Sequence, residues 1–157
     1  MTTFVGMGEL CVKCGKGTLN ITGLGSCVGL ALYDPLHKVA GLAHVMLPSA
    51  IKSKPVANKG KYADTALPEL IKMMREIGAD LKQIQAKISG GAQMFAVKHE
   101  TIPIGKRNVD MCKELLKQWE IPLIAEDTGG NYGRNLSFSC ETGILQIRNS
   151  TIGLKEI

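Results

Sequence analysis

Val28-Gly29-Leu30-Ala31-Leu32-Tyr33 and Val39-Ala40-Gly41-Leu42-Ala43-His44-Val45-Met46-Leu47 are two long apolar runs, joined through Asp34-Pro35-Leu36-His37. Pro after Asp marks that junction as a turn, so the stretch reads as two strands of an antiparallel hairpin. Pairing residues whose numbers sum to 71 sets Val28 against Ala43, Gly29 against Leu42, Leu30 against Gly41, Ala31 against Ala40 and Leu32 against Val39. Large side chains then repeatedly meet small ones, as a packed sheet requires. The same register places Cys27 directly opposite His44, with Cβ atoms roughly 4.5–5.5 Å apart. A nucleophilic thiol needs such a base, because the thiolate and not the thiol attacks carbon. A bulge of one residue would instead set His44 beside Val28 on the other face.

Outward from the hairpin, Phe4 to Met7 and Thr18 to Thr22 read as short strands between Gly-rich turns. Ser49 to Lys61 is polar, carries Pro55 and Gly60, and reads as a mobile surface loop. Ala63, Leu67, Leu70, Ile71, Met74 and Ile77 recur at helical spacing before Gly78, with Pro68 inside the pattern. Leu81 to Ile88 reads as a strand ending at Ser89-Gly90-Gly91. A second helix is expected from about Asn108 as its cap, with Val109, Cys112, Leu115, Leu116 and Trp119 on one face and Pro122 as its end. Leu123 to Ala125, the alternating Leu136, Phe138 and Cys140, and Ile144 to Arg148 add strands after it. The expectation is one mixed α/β domain spanning residues 1–157, with many strands and two principal helices.

Composition bounds the function. Apolar residues are 45% and charged residues 21% of 157, enough for a packed core. One Trp, three Tyr and three Phe are too few for a base-stacking surface, and the +5 net charge is scattered, so nucleic acid is not indicated. The charge points weakly to an acidic protein partner. No apolar stretch approaches the roughly 20 residues that span a bilayer, and no signal-peptide pattern opens the chain. Five Cys without an export signal read as reduced thiols in a cytoplasm.

Of the five, Cys27 stands out because it follows Gly23-Leu24-Gly25-Ser26, a turn able to aim backbone N–H groups at one point, as an oxyanion hole requires. His44 lies in an apolar run, where a titratable group is costly without a partner. The plain alternative is a small buried Cys and a satisfied core His. Gly23 and Gly25 begin like a dinucleotide fingerprint, but Val28 and a following strand break it. Cys11-Val12-Lys13-Cys14 lacks the second pair of a zinc ribbon, and Gly15 and Gly17 oppose the helix a redox pair needs. Cys112 reads as core. Asp127 to Asn135 and Ser89 to Phe95 are polar, Gly-rich stretches that are either ordinary turns or two loops around one cleft. Glu126 and Asp127 form no evident acid–base pair, and no metal or cofactor is indicated.

Six ordered blocks resemble the CheD family of chemoreceptor glutamine deamidases: Gly23-Leu24-Gly25-Ser26-Cys27-Val28, Gly41-Leu42-Ala43-His44-Val45-Met46-Leu47-Pro48, Lys61-Tyr62-Ala63-Asp64, Gly90-Gly91-Ala92-Gln93-Met94-Phe95, Ile104-Gly105-Lys106-Arg107-Asn108 and Glu126-Asp127-Thr128-Gly129-Gly130. The resemblance implies an α/β sandwich with helices outside the sheets. It also implies hydrolysis of glutamine amides on the cytoplasmic helices of chemoreceptors, with Cys27 as nucleophile, His44 as base and backbone N–H groups near Gly25 and Ser26 holding the oxyanion. The family's third residue is a Thr six positions before the Cys. Here that position is Ile21 and its neighbour is Thr22, so either Thr22 takes the role through a local shift or another group orients His44. The resemblance further implies a CheC-type phosphatase as partner, and hence an alternative reading as a regulatory binding module. A thiol redox role for Cys11 and Cys14 is the remote third reading.

Overall fold

A computed structural model of the chain describes residues 1–51, 54–95 and 101–157. Its elements run β1 (Thr2–Phe4), β2 (Leu10–Cys14), β3 (Thr18–Leu24), β4 (Val28–Asp34), β5 (Val39–Val45), α1 (Ala63–Glu76), β6 (Gln85–Gly90), α2 (Ile104–Gln118), β7 (Leu123–Thr128), β8 (Arg134–Ser139), β9 (Leu145–Asn149) and β10 (Gly153–Glu156). The strands form two sheets, ordered β1-β3-β8-β9-β10 and β2-β5-β4-β6-β7.

Every residue of β4 and β5 is buried. One face of this pair packs with Leu19, Ile21, Leu24, Leu136 and Phe138 of the other sheet. The opposite face packs with Leu67, Leu70, Met74, Val109, Cys112 and Leu116 of the helices. The two apolar runs are therefore the middle layer of a sheet–sheet–helix sandwich, with no solvent face to demand polar alternation. The expected α/β sandwich is correct, and both helices cover the same sheet. Helix α1 approaches closely at Gly41, where a Cβ would lie 2.8 Å from the Met74 sulfur and 2.9 Å from Leu70.

The hairpin register differs from the expected one by two residues. Val28 pairs with Val45, Gly29 with His44, Leu30 with Ala43, Ala31 with Leu42, Leu32 with Gly41 and Asp34 with Val39. The Asp34 carboxylate decides this. Its Oδ1 accepts the N–H groups of Leu36 (2.9 Å) and His37 (3.0 Å), which starts the turn at Asp34 and lets pairing continue to the strand's last residue. A shift of two keeps every side chain on its expected face, since the strand period is two.

Other boundaries moved for local reasons. Leu81–Gln83 is a 3-10 turn, not strand, wound by the Asp80 side chain accepting from Lys82 N. Strand β1 spans Thr2–Phe4 and not the expected Phe4 to Met7, and β2 and β10 add to the expected strands. Helix α2 begins at Ile104 after Pro103, so Asn108 is an interior helix residue and not its cap. Residues 52–53 of the expected Ser49–Lys61 loop lie outside the described residues. No helix of the described residues is long and apolar enough to cross a membrane.

Candidate functional site

Gly25, Ser26 and Cys27 form the bend between β3 and β4. All three carbonyls are held. Gly25 O accepts from Ala92 N (3.0 Å), Ser26 O from Asn108 Nδ2 (3.0 Å), and Cys27 O from Gly91 N (2.8 Å). In a trans peptide the carbonyl and the following N–H point oppositely, so these bonds turn the Ser26 and Cys27 N–H groups away from the holding residues. Neither N–H donates to an acceptor among the described residues. Glycine is required beside them: Gly90 has φ +110°, and Gly91 has φ +66° with its Cβ position 2.8 Å from Gly105 O.

Cys27 is half-buried against the inter-sheet core, and burial raises its thiol pKa. His44 is buried on that same inter-sheet side, because Gly29 opposite it shares the face of Ala31 and Leu42. Cys27 is thus a diagonal neighbour of His44 and not the direct partner expected; a diagonal pair in a regular ladder is roughly 7–8 Å apart.

The His44 Nδ1 lies 3.3 Å from Val5 O. A carbonyl only accepts, so Nδ1 carries the proton and Nε2 is left as the basic nitrogen. Burial lowers the His44 pKa, opposed in part by the Val5 bond and by Glu9. A neutral imidazole and a neutral thiol are the resting forms near neutral pH. The main chain around His44 is clamped too: His44 N donates to Glu9 O, and Gly8 N to His44 O, both at 3.0 Å.

Thr22 is exposed and lies within the register break between the buried Ile21 and Leu24. The structure therefore puts the Val5 carbonyl, and not the Thr22 hydroxyl, against His44 Nδ1. Sequence reading missed both Val5 and Asn108. A backbone carbonyl leaves no signature in residue identity, whereas an Asn at position 108 in the sequence is equally compatible with a helix cap.

The two Gly-rich loops do meet. Gln93 N donates to Gly130 O and Gly129 N to Gly90 O, each at 2.9 Å. Met94 reaches over Gly25 of the Cys27 bend, and both Met94 and the neighbouring Phe95 are exposed. Glu126 pairs with Lys113, and Asp127 with Arg134 and Lys155, so both carboxylates are engaged in ion pairs. Cys11 and Cys14 stand three apart on one strand and point to opposite faces, so they cannot bind one ion together. Among the described residues no group of three or more His, Cys, Asp or Glu is arranged to hold a metal.

The two-sheet α/β sandwich thus keeps a half-buried thiol and a buried imidazole on one side of a sheet, beside backbone N–H groups that are unengaged among the described residues. Residues 46–149 match the family model "CheD chemotactic sensory transduction". The chain is 48% identical over 155 residues to the probable chemoreceptor glutamine deamidase CheD of Caldanaerobacter subterraneus subsp. tengcongensis, covering 98% of this chain and 96% of that one. It is 48% identical over 156 residues to the chemoreceptor glutamine deamidase CheD of Halalkalibacterium halodurans, again covering 98% and 96%. The chain belongs to the CheD family. A solved Bacillus licheniformis hypothetical protein, YfiH, is similar over 71% of this chain and 46% of its own at 17% identity, with a TM-score of 0.45, too distant to bear on function.

Proposed function

We propose that this chain hydrolyses the side-chain amide of glutamines on the cytoplasmic helices of chemoreceptors, giving glutamate and ammonia. The observation that carries the mechanism is the His44 ring, held through Nδ1 by the Val5 carbonyl on the sheet face of Cys27, with Nε2 left as the base. As Cys27 Sγ attacks the amide carbon, Nε2 takes the thiol proton, the S–C bond forms, and the carbonyl pair moves onto oxygen. The Ser26 and Cys27 N–H groups hold that oxyanion. Collapse breaks the C–N bond, and His44 returns its proton to the departing ammonia. Water then attacks the thioester with His44 again as base, and the second collapse releases glutamate and the thiol.

Exposed Met94 and Phe95 suit the exposed face of a receptor helix, and the +5 charge suits acidic residues around the target. Incubating the chain with a chemoreceptor cytoplasmic fragment should convert Gln to Glu by mass spectrometry, and Cys27→Ala and His44→Ala should abolish conversion. Absence of conversion by the wild type, or full conversion by Cys27→Ala, refutes the reading. Under the alternative, in which control of a CheC-type phosphatase is the main task, Cys27→Ala would retain regulation of that phosphatase.

A further inference from the structure

Asn108 is fully buried in the interior of α2, a costly place for a side chain that forms helix poorly. Its Nδ2 lies 3.0 Å from Ser26 O and 3.0 Å from Met46 O. Two carbonyl acceptors identify the atom facing them as the NH2 group, whose two hydrogens serve one carbonyl each. The Oδ1 on the other side has no partner among the described residues. The side chain thus leaves its own acceptor unpaired while both donors are used, so its geometry is set by the two carbonyls.

Those carbonyls are not arbitrary. Ser26 O belongs to the peptide whose N–H is that of Cys27, and Met46 lies two residues beyond His44. We infer that Asn108 is a positioning residue for the deamidation: by holding Ser26 O it fixes the Ser26–Cys27 peptide plane and turns the Cys27 N–H toward the developing oxyanion. Its second bond ties that plane to the His44 strand. The helix comes near enough because Gly105, one turn earlier on the same face, has no Cβ; one there would lie 2.5 Å from Gly91 O and from Ala92 O. This inference rests on the deamidase reading of Cys27 and His44.

The test compares wild type, Asn108→Asp and Asn108→Ala in deamidation of a chemoreceptor cytoplasmic fragment. The same proteins are compared in alkylation of Cys27 by iodoacetamide across pH, quantified on the Cys27 peptide. Alkylation displaces iodide at a saturated carbon and forms no oxyanion, so it reports the thiol and His44 without the Cys27 N–H. Loss of a well-aimed oxyanion donor lowers kcat by about 10²–10³, so both variants should lose at least about tenfold in kcat. KM should stay within about threefold, the rate of alkylation within about twofold and its pH midpoint within about 0.3 unit. An unchanged kcat, or parallel loss of alkylation and deamidation, overturns the inference. Should the variants fail to fold, NMR couplings across hydrogen bonds from the wild-type Asn108 amide to the Ser26 and Met46 carbonyl carbons decide it, and their absence overturns it. A wild type that shows these couplings but converts no glutamine refutes the deamidase reading instead, and the positioning role falls with it.

Discussion

The imidazole Nδ1 of His44 lies 3.3 Å from the main-chain carbonyl of Val5, the residue just beyond β1, whose own N–H bonds Asn20 O at 2.8 Å. The histidine is therefore oriented by backbone already tied into the first sheet. Position 21, where the resemblance to the CheD family implies a Thr, is an aliphatic Ile.

The pH dependence of activity follows from burial. The working form of His44 is neutral, and burial lowers its pKa, so the base survives to lower pH than an exposed imidazole. The acidic limb of kcat/KM should have its midpoint below about 6.5. The Cys27 thiol is shifted upward, so alkylation of the free chain should rise with a midpoint above about 8.5. An alkylation plateau reached below pH 7 would mean a preformed thiolate–imidazolium pair and contradict the neutral resting state.

Thr22 is exposed and outside the His44 hydrogen bond. Thr22→Val should therefore keep kcat within about threefold of wild type. If Thr22→Val loses tenfold or more and Thr22→Ser restores the rate, the Thr22 hydroxyl orients the histidine after all. The measurement is single-turnover deamidation of the receptor fragment.

Gly105→Ala should damage the site without touching it. The new methyl meets two backbone carbonyls at 2.5 Å, which cannot be relieved by a rotamer change. Helix α2 must move outward, at a cost of about 1–3 kcal/mol in stability, and Asn108 is withdrawn from Ser26 O. Thermal unfolding together with kcat checks this; a variant with wild-type kcat would show that the helix spacing is not critical.

Asp34 should make the hairpin acid-sensitive. Desolvation pushes its pKa up, but the Asp80 and His37 N–H groups and the His37 ring together outweigh it, and the net shift is downward. A depressed carboxylate stabilises the fold above its unfolded pKa, near 3.9, and that contribution is lost as pH falls through the lower folded value. Asp34→Asn also turns an NH2 or a poorer acceptor toward Asp80 N, now bonded at 2.8 Å, and should cost about 1–3 kcal/mol at neutral pH. The stability gap between wild type and Asp34→Asn, followed by urea unfolding, should be constant above pH ~5 and narrow below pH ~4. A gap independent of pH would assign the loss to geometry and not to charge.

The amino-acid pattern alone determined the class of the domain. Two strand-length apolar runs, two amphipathic helical periods and an alternating tail specify a mixed α/β domain, because periodicity in burial is written directly in residue identity, whereas the sandwich layering is implied only by the resemblance to the CheD family. It also singled out Cys27, His44 and the Gly-rich bend. What it could not settle was register. Leu30 with Ala43 or with Gly41, and Leu32 with Gly41 or with Val39, are both acceptable contacts, and registers two residues apart bury the same faces. Only the folded chain chooses, through the Asp34 carboxylate that closes the turn and the helix seated on Gly41. The same limit hid the roles of Val5 and Asn108. One acts through a carbonyl that every residue possesses, and the other through carbonyls brought near α2 by the approach of Gly105 to Gly91. Hydrogen bonds between segments 82 and 62 residues apart exist only once the chain has packed.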